Sequence, residues 1–175
     1  MTALNLLGDG DKADFLVTGG WSQKALKEAC RIGDCVASWD DSERGFKSVP
    51  MDGNFEIRED AEYVHYTSNN TLFGTQYHKT PEVGKKHLVV DASSDICGVP
   101  IDVSAHDVIY AGAQKNLGPS GVTLVILSPW AVSRIGDGLP TMLDYRTHIS
   151  KGSMFNTPNT VCLLYTSPSP RDVIQ

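Results

Sequence analysis

The chain has 175 residues, of which 15 are Lys or Arg and 21 are Asp or Glu, giving a formal net charge of −6. Hydrophobic residues make up 41% and charged residues 21% of the chain, which is typical of a globular protein and argues against wholesale disorder. The acidic balance, without any extended basic run, disfavours binding to nucleic acid or to an anionic membrane surface. The length indicates one domain or a large part of one.

The cysteine content and the hydropathy pattern indicate the cellular compartment in which the protein is expected. The first ten residues lack the basic start of a signal peptide, and no run approaches the roughly 20 apolar residues that cross a bilayer. The five histidines show no paired ligand spacing, so no metal site is predicted. The four cysteines are Cys30, Cys35, Cys97 and Cys162, and they form no CxxC pair. This sparse pattern favours a reducing compartment, so we predict a cytoplasmic protein.

Short apolar runs alternate with polar or glycine-rich turns along the chain. The first predicted strand covers residues 14–18, and a helix follows with Ser22 as its N-cap and Gly33 as the glycine just after its end. The β-branched run at residues 121–127 predicts a fully buried strand. The alternation predicts an α/β fold with a ligand site in the turns after the strands. Further strands are predicted at residues 35–39, 63–67, 87–90 and 108–111, and a polar connection at 40–60.

Two charged residues are predicted at the ends of neighbouring buried strands. Lys115 lies in a glycine-rich turn between two hydrophobic strands, where burial would lower the pKa of an amine and favour Schiff-base formation with an aldehyde. Asp91 ends the strand before it, and a carboxylate there suits the protonated ring nitrogen of pyridoxal phosphate. From the residues alone, Lys115 as a surface loop lysine and Asp91 as a turn cap remain open alternatives.

The sequence resembles the phosphoserine aminotransferases from about residue 4 to residue 160. The most specific segment is IYAGAQKN-GP, around Lys115; others are ADFLVTGGWSQKALKEA, YVHYTSNNTLFGTQY and MLDYRTHISKGSMFNTP. The resemblance implies an α/β fold, a mostly parallel sheet flanked by helices, as part of the large domain of a fold-type I aminotransferase. It also implies pyridoxal phosphate as cofactor and transamination between phosphoserine and 2-oxoglutarate in serine biosynthesis.

The resemblance also implies roles for individual residues. Lys115 resembles the lysine that binds the cofactor aldehyde, and Asp91 resembles the partner of the ring nitrogen. Trp21 resembles the residue that stacks on the ring; without the resemblance, core packing is its alternative. The other four resemble polar residues that contact the cofactor, and for them a turn or cap is the alternative. Thr71 is expected at the ring hydroxyl, Gln114 at the phosphate, and Asn156 and Thr157 at the phosphate of the partner subunit in a homodimer.

The chain departs from the family pattern at both ends. The family's glycine-rich phosphate turn and its C-terminal domain, which carries an arginine for the substrate carboxylate, have no counterpart here. We therefore expect residues 1–161 to be part of the cofactor-binding domain. Residues 162–175 contain CLLYTSPSPRD, which looks like a translated sequencing adapter, although a real Pro- and Ser-rich terminus is the alternative.

Three interpretations of the activity follow from the sequence. The first is a piece of a phosphoserine aminotransferase, with the piece itself expected to be inactive. The second is a piece of another fold-type I pyridoxal-phosphate enzyme. The third is a truncated product without any catalytic role.

Overall fold

The computed structural model describes residues 1–155, and within them the chain forms a six-stranded mixed sheet, a separate two-stranded hairpin and four α-helices. Asn156, Thr157 and the proposed tail at residues 162–175 lie outside the described residues. The strands are β1 (Lys12–Val17), β2 (Asp34–Asp40), β3 (Ala61–Thr67), β4 (Asn69–Asn70), β5 (Thr75–Gln76), β6 (His87–Asp91), β7 (Val108–Gly112) and β8 (Thr123–Leu127). The helices are α1 (Thr2–Leu6), α2 (Gly20–Ala29), α3 (Pro129–Ser133) and α4 (Tyr145–Ser150).

Six of the strands form a sheet in the order β2-β1-β3-β6-β7-β8. The first five are parallel, and β8 runs antiparallel to β7. The two remaining strands, β4 and β5, form a small antiparallel hairpin just after β3. The predicted mostly parallel α/β sheet is therefore confirmed, as are the strands expected at residues 35–39, 63–67, 87–90 and 108–111, which lie within β2, β3, β6 and β7.

The two faces of the sheet are covered differently. On one face, Phe15, Tyr63 and Val89 pack with residues of α1, α2 and α3. On the other face, Val64 and Ile109 pack against side chains from the long connections between strands. Each central strand is thus buried on both faces, which explains why apolar residues stand at consecutive positions in these strands, as in FLV of β1 and LVV of β6.

The prediction for residues 121–127 is wrong in its burial. β8 is an edge strand of the described sheet, and its five residues are half-buried or exposed. An unbroken aliphatic run indicates a strand but not its position in the sheet, because edge or centre depends on which other strands pair beside it.

The predicted ends of the first long helix are also wrong: Ser22 is not its N-cap, and Gly33 does not directly follow its last turn. Gly19 is the N-cap of α2, and Ser22 lies in its first turn, where its hydroxyl accepts the backbone N–H of Thr18 at 3.0 Å and of Gly19 at 3.1 Å. The helix ends at Ala29, before Gly33. A Cβ atom at Gly33 would lie 2.9 Å from the carbonyl oxygen of Asp11, so this glycine permits a close approach of two backbones.

No helix within residues 1–155 combines the length and hydropathy needed to cross a membrane.

Candidate active site

The carboxyl ends of β1, β3, β6 and β7 meet at one edge of the sheet, and the candidate residues lie at these strand ends or in the segments that follow them. Parallel strands place these turns together, which is why ligands gather there in α/β proteins. Trp21 follows β1, Thr71 lies in the hairpin turn after β3, Asp91 ends β6, and Lys115 follows β7. β6 pairs with both β3 and β7, so Asp91 stands between the strands that lead to Thr71 and Lys115.

Lys115 is joined to Thr71 by a direct hydrogen bond. Its Nζ atom donates to Oγ1 of Thr71 at 2.7 Å. The Lys115 turn is anchored on its far side by Asn116, whose side-chain amide donates to the carbonyl oxygen of Ile96 at 3.0 Å. The expectation that Lys115 is buried is wrong for the described structure: its side chain is exposed. Gln114 and Asn116 beside it are exposed too, whereas Leu117 packs against the core.

Asp91 is held in place by its own turn. One of its carboxylate oxygens accepts the backbone N–H of Ser93 at 3.0 Å, and the hydroxyl of Ser93 accepts the backbone N–H of Gly112 at 3.0 Å. Because Gly112 is the last residue of β7, the turn after β6 is fixed to the start of the Lys115 turn. Asp91 as a residue is half-buried.

The hairpin that carries Thr71 is hydrogen-bonded to the turn between β1 and α2, the helix that carries Trp21. The side-chain amide of Asn70, which is 1% exposed, donates to Oγ1 of Thr18 at 3.0 Å. A Cβ atom at Gly19 would lie 2.2 Å from Oδ1 of Asn70, so only glycine fits beside this amide. This role of Asn70 could not be predicted from the sequence, because Asn70 occurs in a polar segment where asparagine is common.

Asn69 makes a second link of the same kind. Its side-chain amide donates to the hydroxyl of Ser94 at 2.9 Å, and that hydroxyl donates to the carbonyl oxygen of Asn69 at 2.7 Å. The hairpin after β3 is therefore tied to the turn after β6 as well as to the turn after β1. Four separate segments of sequence form one connected edge.

Trp21 and Gln114 also lie on this edge. Within residues 1–155, neither side chain is hydrogen-bonded to Lys115 or Asp91. The Trp21 side chain is 47% exposed, and Nζ of Lys24 lies 4.4 Å from its ring centroid. The Gln114 side chain folds back over Gly112, where a Cβ atom would lie 2.4 Å from its Oε1. Their roles stay predictions, as do those of Asn156 and Thr157 outside the described residues.

The chemistry of the edge fits one kind of ligand. It offers an amine at Lys115, a carboxylate at Asp91, a hydroxyl at Thr71 and an exposed indole face at Trp21. An amine reacts with aldehydes, a carboxylate pairs with a protonated ring nitrogen, and an indole stacks on an aromatic ring. The set therefore suits a flat aromatic aldehyde with a basic ring nitrogen. Among residues 1–155, no group of three or more His, Cys, Asp or Glu side chains is arranged to hold a metal ion.

Comparison with known proteins shows the family. The sequence model described as Aminotransferase class-V matches residues 1–166. The chain is 49% identical to the phosphoserine aminotransferases of Desulfotalea psychrophila and Halalkalibacterium halodurans, over 158 and 160 residues. These alignments cover 90% and 91% of the chain and 44% of each relative, so the chain spans less than half the length of these curated relatives.

The fold agrees with this assignment. The solved phosphoserine aminotransferase of Bacillus circulans subsp. alkalophilus superimposes with a TM-score of 0.84 at 41% sequence identity, covering 90% of this chain and 44% of the other. The predicted fold, part of a fold-type I aminotransferase domain, is confirmed by this match. The family match, the identity to these relatives and the shared fold agree: the chain belongs to the class-V aminotransferase family.

Proposed function

We propose that this chain is part of a pyridoxal-phosphate-dependent phosphoserine aminotransferase, which interconverts phosphoserine and 2-oxoglutarate with phosphohydroxypyruvate and glutamate. Two observations support the proposal: the relatives that match most of the chain carry this name, and the edge of the sheet joins an amine, a hydroxyl and a carboxylate. The observation that carries it is the hydrogen bond between Lys115 and Thr71 beside the strand that ends in Asp91. The activity is that of the whole protein, of which this chain is a part.

Pyridoxal phosphate, when bound, supplies an aldehyde that condenses with amines and a protonated ring that withdraws electrons from the substrate. Asp91 is suited to hold the proton on the ring nitrogen, because the backbone N–H of Ser93 fixes its carboxylate and the residue is only half-buried. Trp21 would cover one face of the ring. Gln114 would donate hydrogen bonds to the phosphate from its position at the start of the Lys115 turn.

Thr71 orients the amine of Lys115. A lysine side chain has four rotatable bonds, and a hydrogen bond to a fixed hydroxyl limits the positions that Nζ can take. Thr71 is itself held by the hairpin, which Asn70 fixes to Thr18. A neutral amine at Lys115 could accept a proton at Nζ and return it at this point, which is the role of a general base and acid.

The assembly and the location belong to the proposal too. We infer a homodimer from the expectation that Asn156 and Thr157 reach the cofactor phosphate of a partner subunit. A cytoplasmic location is inferred from the sparse cysteines and is consistent with a small-molecule substrate.

Covalent trapping tests the cofactor and the lysine. The 175-residue chain is mixed with pyridoxal phosphate, reduced with borohydride, digested and mapped by mass spectrometry. We expect the label on Lys115 and its loss in Lys115→Arg, while Lys85→Arg, a change at another exposed lysine, keeps it. A label found on other lysines to the same extent would contradict the proposal.

The substrate is tested in a chimera. Residues 1–155 replace the matching segment of the Desulfotalea psychrophila relative, which is 49% identical to this chain. We expect transamination with phosphoserine and little with alanine. The opposite preference would favour another aminotransferase of the same family.

A further inference from the structure

Asp91 has a neighbour in the sheet that the proposed function does not use. Tyr110 on β7 is paired in register with Asp91 on β6. Paired residues on adjacent strands point to the same face of the sheet, so the phenol and the carboxylate lie side by side. The hydroxyl of Tyr110 also lies 2.9 Å from Nε2 of His65 on β3.

His65 is deeply buried and its surroundings fix its orientation. It is 3% exposed, and its ring stacks on that of Phe15 with centroids 4.8 Å apart. Burial lowers the pKa of His65 to about 3, so the ring is neutral at ordinary pH and carries one N–H. Burial, and after it the nearby Asp91 carboxylate, raises the pKa of Tyr110 well above its ordinary value, so the phenol keeps its proton.

The unpartnered nitrogen of His65 decides the direction of the hydrogen bonds. Within residues 1–155, Nδ1 of His65 is buried and has no hydrogen-bond partner. If Nδ1 carried the proton, a buried N–H donor would be left without an acceptor, which is unfavourable because its lost hydration is not replaced. The proton is therefore favoured on Nε2, which donates to the Tyr110 oxygen. The phenol hydrogen is then left for another acceptor.

We propose that Tyr110 is a positioning residue for Asp91: its hydroxyl donates to the Asp91 carboxylate, and the Nε2–H of buried His65 donates to the Tyr110 hydroxyl and sets its direction. The value of this arrangement to catalysis rests on the proposed function, in which Asp91 pairs with the ring nitrogen of the cofactor. The phenol would hold the carboxylate at the angle required for that pairing. It would also favour the charged form of the carboxylate, because a donated hydrogen bond stabilises an anion.

The arrangement is tested first without any cofactor. Nitrogen-15 NMR of the 175-residue chain should show His65 as the Nε2–H tautomer. The buried Tyr110 hydroxyl proton should shift in Asp91→Asn and keep its resonance in Asp95→Asn, a neutralisation in the same turn. An Nδ1–H tautomer, or a Tyr110 hydroxyl proton that ignores Asp91→Asn, would overturn the proposal.

The second measurement uses the cofactor. Tyr110→Phe should weaken retention of pyridoxal phosphate about tenfold while Lys115 remains the residue trapped by borohydride. Tyr145→Phe is the matched control, because Tyr145 and Tyr110 line one cavity and the Tyr145 hydroxyl is hydrogen-bonded to the hydroxyl of Thr2. Equal affinity of the Tyr110→Phe and wild-type chains would overturn the positioning role. Absence of label on Lys115 in the wild-type chain would instead count against the proposed function and leave the NMR result standing.

Discussion

Nζ of Lys115 and Oγ1 of Thr71 are 2.7 Å apart, although the two residues are separated by 44 positions in the sequence. The contact depends on the order of the strands, because β6 lies between β3 and β7 and brings the turns after them to one edge. Each turn is fixed by other bonds, through Asn70 on one side and Asn116 on the other. The amine is therefore held between two anchored turns.

Removing the Thr71 hydroxyl should slow attachment of the cofactor at Lys115. In Thr71→Val the amine loses its acceptor and samples more positions, and we expect a rate of borohydride-trapped labelling about threefold to tenfold lower, as for the loss of one hydrogen bond. Thr71→Ser keeps a hydroxyl and should label at nearly the wild-type rate. Equal rates for the valine and wild-type chains would show that the hydrogen bond does not orient the amine.

The sequence predicted the position of Lys115 and Asp91 because both depend on local signals. Each follows an apolar run short enough to be a strand, and the turn after Lys115 is marked by glycine and proline. Their meeting at one edge followed from the rule that parallel strands end together. The exposure of Lys115 did not follow, because burial depends on what covers the edge.

The contacts of Asn70, Tyr110 and His65 could not be predicted in this way. Asn70 touches Thr18 across 52 positions, and His65 touches Tyr110 across 45. Both contacts require knowing which strands are neighbours and in which register, and a one-residue slip would turn these side chains to the other face. The edge position of β8 could not be predicted either, because it also depends on which strands are neighbours.

Gly19→Ala should destabilise the chain. The new Cβ atom would meet Oδ1 of Asn70 at 2.2 Å, and Asn70 is buried and bonded to Thr18, so it cannot move freely. Overpacking of this kind lowers the free energy of unfolding by about 1–3 kcal/mol. Urea denaturation of the Gly19→Ala and wild-type chains measures this difference. Gly20→Ala is the matched control, because its Cβ atom would be 3.6 Å from Phe73, an ordinary contact. A loss of stability at both positions alike would contradict this reading of Gly19.

His65 should make the folded chain sensitive to acid. Its pKa is about 3 when folded, lowered by burial from 6.5, so between these values the unfolded chain binds more protons than the folded one. Stability therefore falls as the pH falls through this range. From pH 6.5 to about pH 4.5, the wild-type chain should lose about 2–3 kcal/mol more than His65→Gln, whose amide does not titrate. The carboxylates affect the stability of both chains equally, so their contribution cancels in the difference between the chains. If the stabilities of the two chains fell in parallel with pH, His65 would not be held neutral in the folded chain.

Asp91→Asn should separate cofactor attachment from turnover. Asparagine has the size of aspartate, and its side-chain oxygen can still accept the N–H of Ser93, so the turn should keep its shape. A neutral amide does not hold the proton on the ring nitrogen, and the ring then withdraws electrons poorly. In the chimera with the Desulfotalea psychrophila relative, we expect transamination of phosphoserine to fall by about 100-fold or more, while borohydride still traps the cofactor on Lys115. Asp95→Asn provides the control, since this carboxylate lies in the same turn and accepts a hydrogen bond from the hydroxyl of Ser68 at 2.5 Å. Near-normal turnover in Asp91→Asn would show that Asp91 only closes its turn.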